Sequence, residues 1–75
     1  MFLYLSIESE QASPYMGPYQ AFGLRVYKVR DGVNEEILCL PDISTDAAFV
    51  LHLADIFSRE QLDPIHLPDV MEDLL

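Results

Sequence analysis

The sequence predicts an α+β protein, a three-stranded antiparallel sheet followed by one long and one short helix packed on one face. Two periodicities and one dipeptide predict it. Apolar residues alternate along the stretches before Pro41, they recur at helical spacing after it, and Asp31-Gly32 marks a tight turn between two of the alternating runs.

Leu3, Leu5 and Ile7 alternate with Tyr4, Ser6 and Glu8, the period of a half-buried strand, which places the first strand at about residues 2–9. "QASPYMGPYQ" carries two prolines and a glycine among polar residues, which predicts a loop longer than a tight hairpin. The pattern resumes at Phe22, with Leu24 and Val26 on one face and Arg25 and Tyr27 on the other, and the second strand covers about 20–30. Asp and Gly tolerate the positive φ that a type I′ turn needs at both central residues. With that turn, Lys28 faces Glu35, Val26 faces Ile37 and Leu24 faces Cys39, so charge meets charge and core meets core. A four-residue loop through Asn34 keeps the same faces inward. The third strand, about 34–41, ends at Pro41.

"DISTDAA" supplies helix-start chemistry, with Ser44 as N-cap and Asp46 in the first turn near the positive helix end. The long helix is predicted over about 45–58. Its stripe of Ala47, Val50, Leu51, Ala54 and Phe57 is widened by Phe49, Leu53 and Ile56, leaving His52, Asp55 and Arg59 as the polar strip. Asp63-Pro64 offers a second cap with proline at the first helical position. Pro68 would clash with the carbonyl of Pro64 inside one continuous helix, so a turn at 64–67 and a short helix at about 68–74 are expected.

At 75 residues the chain forms a single domain, 1–75, of a size that buries about 60% of its unfolded surface and reaches a stability of about 3–5 kcal/mol. An apolar fraction of 51% is too high for intrinsic disorder despite the net charge of −9. The lone Cys39 excludes an internal disulfide and reads as a small buried hydrophobe in a reducing compartment. "MFLYLSIESE" lacks the basic leader and cleavage pattern of a signal peptide, and no stretch approaches the roughly 20 apolar residues of a membrane span. A cytoplasmic protein is expected.

The charge is unevenly placed. Residues 1–30 carry a net +1, whereas residues 31–75 hold eleven acids against Arg59 alone, a net −10. Such a field repels nucleic acid and anionic lipid, so direct binding of either is not expected. It can instead steer a small rigid body onto a basic surface and compete there with phosphates. Glu35, Glu36, Asp42, Asp46, Asp55, Glu60, Asp63, Asp69, Glu72 and Asp73 are the pool from which that acidic surface is drawn. The plainer reading is that the charge keeps the protein dispersed.

Other candidates are weaker. His52 and Asp55 stand one helical turn apart, with His66 as a candidate third metal ligand, but a solvated helix face and a capping or loop histidine explain them better, and no cofactor or metal is expected. Cys39 and Ser44 have no base at local spacing, so no catalytic residue is assigned and the chain is read as a non-enzyme. Tyr15, Met16 and Tyr19 in the proline-bracketed loop either form a contact surface or fold back over the sheet edge.

The stretch "LPDISTDAAFVLHLADIF" and the tail "LDPIHLPDVMEDLL" resemble a family of short, functionally uncharacterised bacterial proteins with a PDIST-like helix start and a PxHLxDVxEDxL-like C-terminal segment. Pro68 departs from that pattern. The resemblance covers roughly residues 22–75 and implies a compact cytoplasmic fold with no activity to carry over. In size and acidity alone, the chain is also similar to anti-CRISPR inhibitors and other phage-encoded DNA mimics. The leading expectation is therefore a non-enzymatic inhibitor that covers a basic nucleic-acid-binding surface of a protein partner, such as a Cas effector. The other is a small regulatory or housekeeping domain that homodimerises through strand 1 or the terminal helix.

Overall fold

The computed structural model describes residues 1–74 and shows the expected α+β architecture. Strands β1 (Phe2–Ser13), β2 (Gly17–Arg30) and β3 (Val33–Ser44) form one antiparallel sheet in the order β1-β2-β3. Helix α1 (Ala47–Arg59), a single 3-10 turn (Pro64–His66) and helix α2 (Leu67–Leu74) follow.

The first two strands are longer than their apolar alternation indicates. They pair continuously from Phe2 opposite Lys28 to Ser13 opposite Gly17, so the expected long loop is only the turn Pro14-Tyr15-Met16. Gly17, at φ +69°, supplies the left-handed corner that lets so short a connection close. The last pairing of β3 is Ser44 with Phe22. Residues 9–13 and 17–21 therefore run on as a two-stranded arm, and the molecule measures 44 × 26 × 20 Å.

The β2–β3 turn forms at Asp31 and Gly32, with φ of 52° and 77°, and sets Arg30 opposite Val33 and Lys28 opposite Glu35 as expected. Beyond it the register shifts. A bulge between Val26 and Tyr27 takes up Ile37, so Val26 faces Leu38 and Leu24 faces Leu40. Cys39 consequently sits opposite Arg25 and is exposed, not part of the core as the unbulged register requires.

A second irregularity lies between Phe22 and Leu24, where β3 continues through Pro41 instead of ending there. Proline is tolerated because β3 is an edge strand. A Cβ on Gly23 would stand 1.9 Å from the Leu40 carbonyl oxygen. Only glycine admits this close crossing, and the Ser9 hydroxyl holds it from the far side by donating to the Pro41 carbonyl at 2.9 Å.

Both helices cover the sheet face that carries Tyr4, Leu24 and Val26, and the core is completed by Val50, Leu53, Ala54, Phe57, Leu67 and Met71. Leu24, Val26, Val50 and Leu67 are fully buried, each contributing about 1.5–3 kcal/mol of transfer free energy. Tyr4, rather than Leu3, Leu5 and Ile7, is the buried side of β1, and its ring meets Phe57 edge-on at 5.4 Å. The reason is the polar handle: the Tyr4 hydroxyl donates to the Leu62 carbonyl at 2.7 Å, so a phenol is satisfied inside.

Helix α1 begins two residues later than predicted. Asp46, not Ser44, is the N-cap, accepting from the Phe49 N–H at 3.2 Å, while the Ser44 hydroxyl accepts from the Asp46 N–H at 3.0 Å. Val50, Leu53, Ala54 and Phe57 form the buried stripe, and Leu51 faces outward. Asp63 caps the 3-10 turn with Pro64 at its start, as its sequence indicates. Because that turn ends at His66, Pro68 falls in the first turn of α2, where its missing N–H has no helical partner to lose.

Candidate functional site

The two edges of the sheet are treated differently. On β1 the backbone groups of Tyr4 are taken up by Ser58, whose hydroxyl accepts from the Tyr4 N–H at 2.9 Å and donates to its carbonyl at 3.1 Å. Gln61 repeats the device at Phe2, accepting through Oε1 from the N–H at 2.8 Å and donating through Nε2 to the carbonyl at 3.0 Å. Two side chains after the middle of α1 thus stand in for a neighbouring strand. Gln61 reaches its place from a backbone at φ 53°, just beyond the C-cap Glu60.

Edge β3 has no such cover. Among the described residues, no side chain and no further backbone group bonds the outward N–H and C=O groups of residues 33–40. In a two-residue hairpin the residues flanking the turn bond each other, and alternate pairs do the same, so Asn34 and Glu36 turn their N–H and C=O away from β2. An uncovered edge of this length is a template for another strand.

Beside that edge lies an open apolar groove of about 440 Å³. Leu38 and Leu40 form its floor on β3, and Pro64, Ile65, Leu67, Pro68 and Met71 form the opposite wall. Ile65 is 76% exposed at its mouth. A second depression of about 300 Å³ at the β2–β3 turn sets Lys28 and Arg30 with Asp31 and Glu35 around Val33.

The ten carboxylates of the acidic pool do not share one role. Asp46 and Asp63 cap helices, Asp42 accepts from the Tyr19 hydroxyl at 2.8 Å, Asp55 pairs with Arg59, and Glu36 lies 2.6 Å from Arg25 Nε. The Arg25 N–H does not point along that contact, which is therefore an ion pair and not a hydrogen bond. Tyr27 foremost, then Cys39 and Glu36, hold the Arg25 guanidinium above its ordinary pKa. Glu35, Glu60, Asp69, Glu72 and Asp73 are exposed and carry no salt bridge or side-chain hydrogen bond among the described residues.

Three of these stand together. Asp69, Glu72 and Asp73 occupy i, i+3 and i+4 on α2, and no base lies in its last turn. Like charges at that spacing repel, and carboxylates at a helix C-terminus oppose its dipole. Local helix physics does not explain Glu72 and Asp73. Glu72 lies one turn after Pro68 and follows Met71, but is not itself among the side chains that line the groove.

Of the predicted contact loop, Tyr15 and Met16 crown the arm, with Tyr15 97% exposed, so neither folds back over the sheet. Tyr19 instead lies along the arm, and its bond to Asp42 raises its pKa. His52, Asp55 and His66 are exposed, and no group of three or more metal-ligating residues forms among the described residues. The sheet face away from the helices carries Leu3, Leu5 and Tyr27 beside the Arg25–Glu36 pair.

These features define a small acidic α+β protein with an open sheet edge beside an apolar groove. The chain belongs to the family of unknown function DUF6514, whose profile matches residues 2–75. An uncharacterised family accords with the resemblance in its helix start and tail, and nothing in the comparisons links it to anti-CRISPR proteins. No curated protein and no solved structure matches the chain. No helix among the described residues is long and apolar enough to cross a membrane.

Proposed function

We propose that the chain is a non-enzymatic interaction protein of the cytoplasm, an inhibitor whose acidic surface covers a basic nucleic-acid-binding surface on a partner protein. The carrying observation is the trio Asp69, Glu72 and Asp73 on α2, where Glu72 and Asp73 oppose the helix dipole without a local partner. Charges kept against local stability fit a surface whose counter-charge comes from elsewhere. A Cas effector is one partner of that chemistry.

The test is competition. The protein is added to a guide-loaded Cas effector with target DNA, and in parallel used as bait in a bacterial lysate at low and high salt. Reduced DNA binding, or salt-sensitive capture of a nucleic-acid enzyme that is lost in Glu72→Lys/Asp73→Lys, supports the reading. Capture unaffected by both salt and charge reversal would falsify it.

A second reading rests on the uncovered sheet face. Leu5 is 44% exposed there beside Leu3, and the charges flanking it form the neutral Arg25–Glu36 pair, so a second copy can approach despite the net −9. Dimerisation through this face of β1, with acidity serving solubility, predicts a concentration-dependent dimer that Leu5→Glu abolishes. A monomer at high concentration sinks it.

A further inference from the structure

We infer that the open edge of β3 and its groove receive an extended segment of a partner protein, which adds as a fourth strand with aliphatic side chains at alternate positions and Lys or Arg between them. The inference rests on the basic-partner reading and names the form the partner takes.

The two edges of the sheet differ where they pass the helices. Ser58 and Gln61 occupy the outward backbone groups of Tyr4 and Phe2, which blocks strand addition along the start of β1. On β3 the corresponding groups of Asn34 and Glu36 face away from the sheet and no described residue takes them up. Main-chain bonding supplies affinity in strand addition, and pockets for alternate side chains supply selectivity. The apolar groove along Leu38 and Leu40, walled by Ile65, Leu67 and Met71, is placed for those side chains.

Charge decides between occupants. β3 carries Glu35, Glu36 and Asp42 and no base, and Glu36 lies on the sheet face away from the groove, the face to which residues between the groove-filling ones project. A second copy added antiparallel would set acid against acid, whereas a segment bearing Lys or Arg meets complementary charge. Cys39, exposed on the same strand, offers a reporter position.

The probe is a synthetic peptide of about eight residues with alternating Val and Lys. It is titrated into the isotope-labelled full chain beside the same peptide N-methylated at alternate residues and a Val-Glu counterpart. Strand addition predicts saturable binding, shifted and exchange-protected amides within residues 33–40, and an affinity roughly tenfold or more weaker after N-methylation. No binding, or binding indifferent to N-methylation that moves only α2 signals, overturns it. The second of those results leaves the basic-partner reading standing. Equal binding of the Val-Glu peptide through the β3 amides retains the docking edge and removes the basic partner instead.

Discussion

Replacing Ser58 by alanine measures what sealing one sheet edge is worth. The hydroxyl accepts from Tyr4 N–H at 2.9 Å and donates to Tyr4 carbonyl at 3.1 Å, so one substitution strips two backbone groups of their partners. An uncompensated buried polar group costs about 1–3 kcal/mol. The site is only partly buried and water reaches some of the exposed polarity, which places each group near the low end and the pair at about 2–3 kcal/mol. Against a total of about 3–5 kcal/mol for a chain of this size, that is about two fifths of the stability or more. With a urea m-value of roughly 1 kcal/mol/M, the unfolding midpoint falls by about 2–3 M. Urea titration followed by circular dichroism reads it directly. A midpoint lowered by less than about 0.5 M would show that water replaces the hydroxyl and that Ser58 does not seal the edge.

Other perturbations separate the remaining contributions. Gly23→Ala places a methyl 1.9 Å from the Leu40 carbonyl oxygen, and a loss of at least about 3 kcal/mol, or no folding, is expected in thermal unfolding. Asp46→Ala removes the N-cap of α1 and costs about 1 kcal/mol by denaturant titration. Glu72→Lys exchanges a charge that opposes the α2 dipole for one that complements it, so stability at low salt rises by about 0.3–1 kcal/mol and the gain fades as salt is added. Burial, helped by the nearby Asp63 charge, pushes the Tyr4 hydroxyl up to about 12 from 10.0. The native state therefore holds this proton more tightly than the unfolded chain, and the associated stability is complete below pH 10 and disappears as pH rises toward 12. The hydroxyl lies near the molecular surface, so the loss is of order 1 kcal/mol, and it vanishes from the alkaline limb of a pH–stability profile in Tyr4→Phe.

Local signals in the chain carried much of the fold. Asp31-Gly32 specifies its turn because few residues accept two positive φ angles in succession, and the 3.6-residue recurrence from Val50 to Phe57 admits only a helix. Failures arose where a local rule has two outcomes. Proline and glycine between Ser13 and Pro18 fit a loop and an abrupt hairpin equally well, and the polar residues of the arm give no period to choose between them. At Ile37 a single extra residue reverses the facing of the rest of the strand, so Cys39 leaves the core without any change in residue type to announce it. In β1 either alternate set is hydrophobic enough to be buried, and the choice of Tyr4 depends on the distant Leu62 carbonyl. The site was the least legible part. Its acidity is plain in the composition, but the covered start of β1 depends on Ser58 and Gln61 meeting residues at the other end of the chain, a relation that neighbour patterns do not encode.

A strand that joins the sheet beside the helices has one side to choose. Ser58 and Gln61 occupy the start of β1, so next to the core only β3 offers free main-chain groups. The stretch of β1 beyond Tyr4 runs out into the arm, away from the groove that would hold alternate side chains. One partner segment per molecule is therefore the stoichiometry of a complex formed through β3 and its groove.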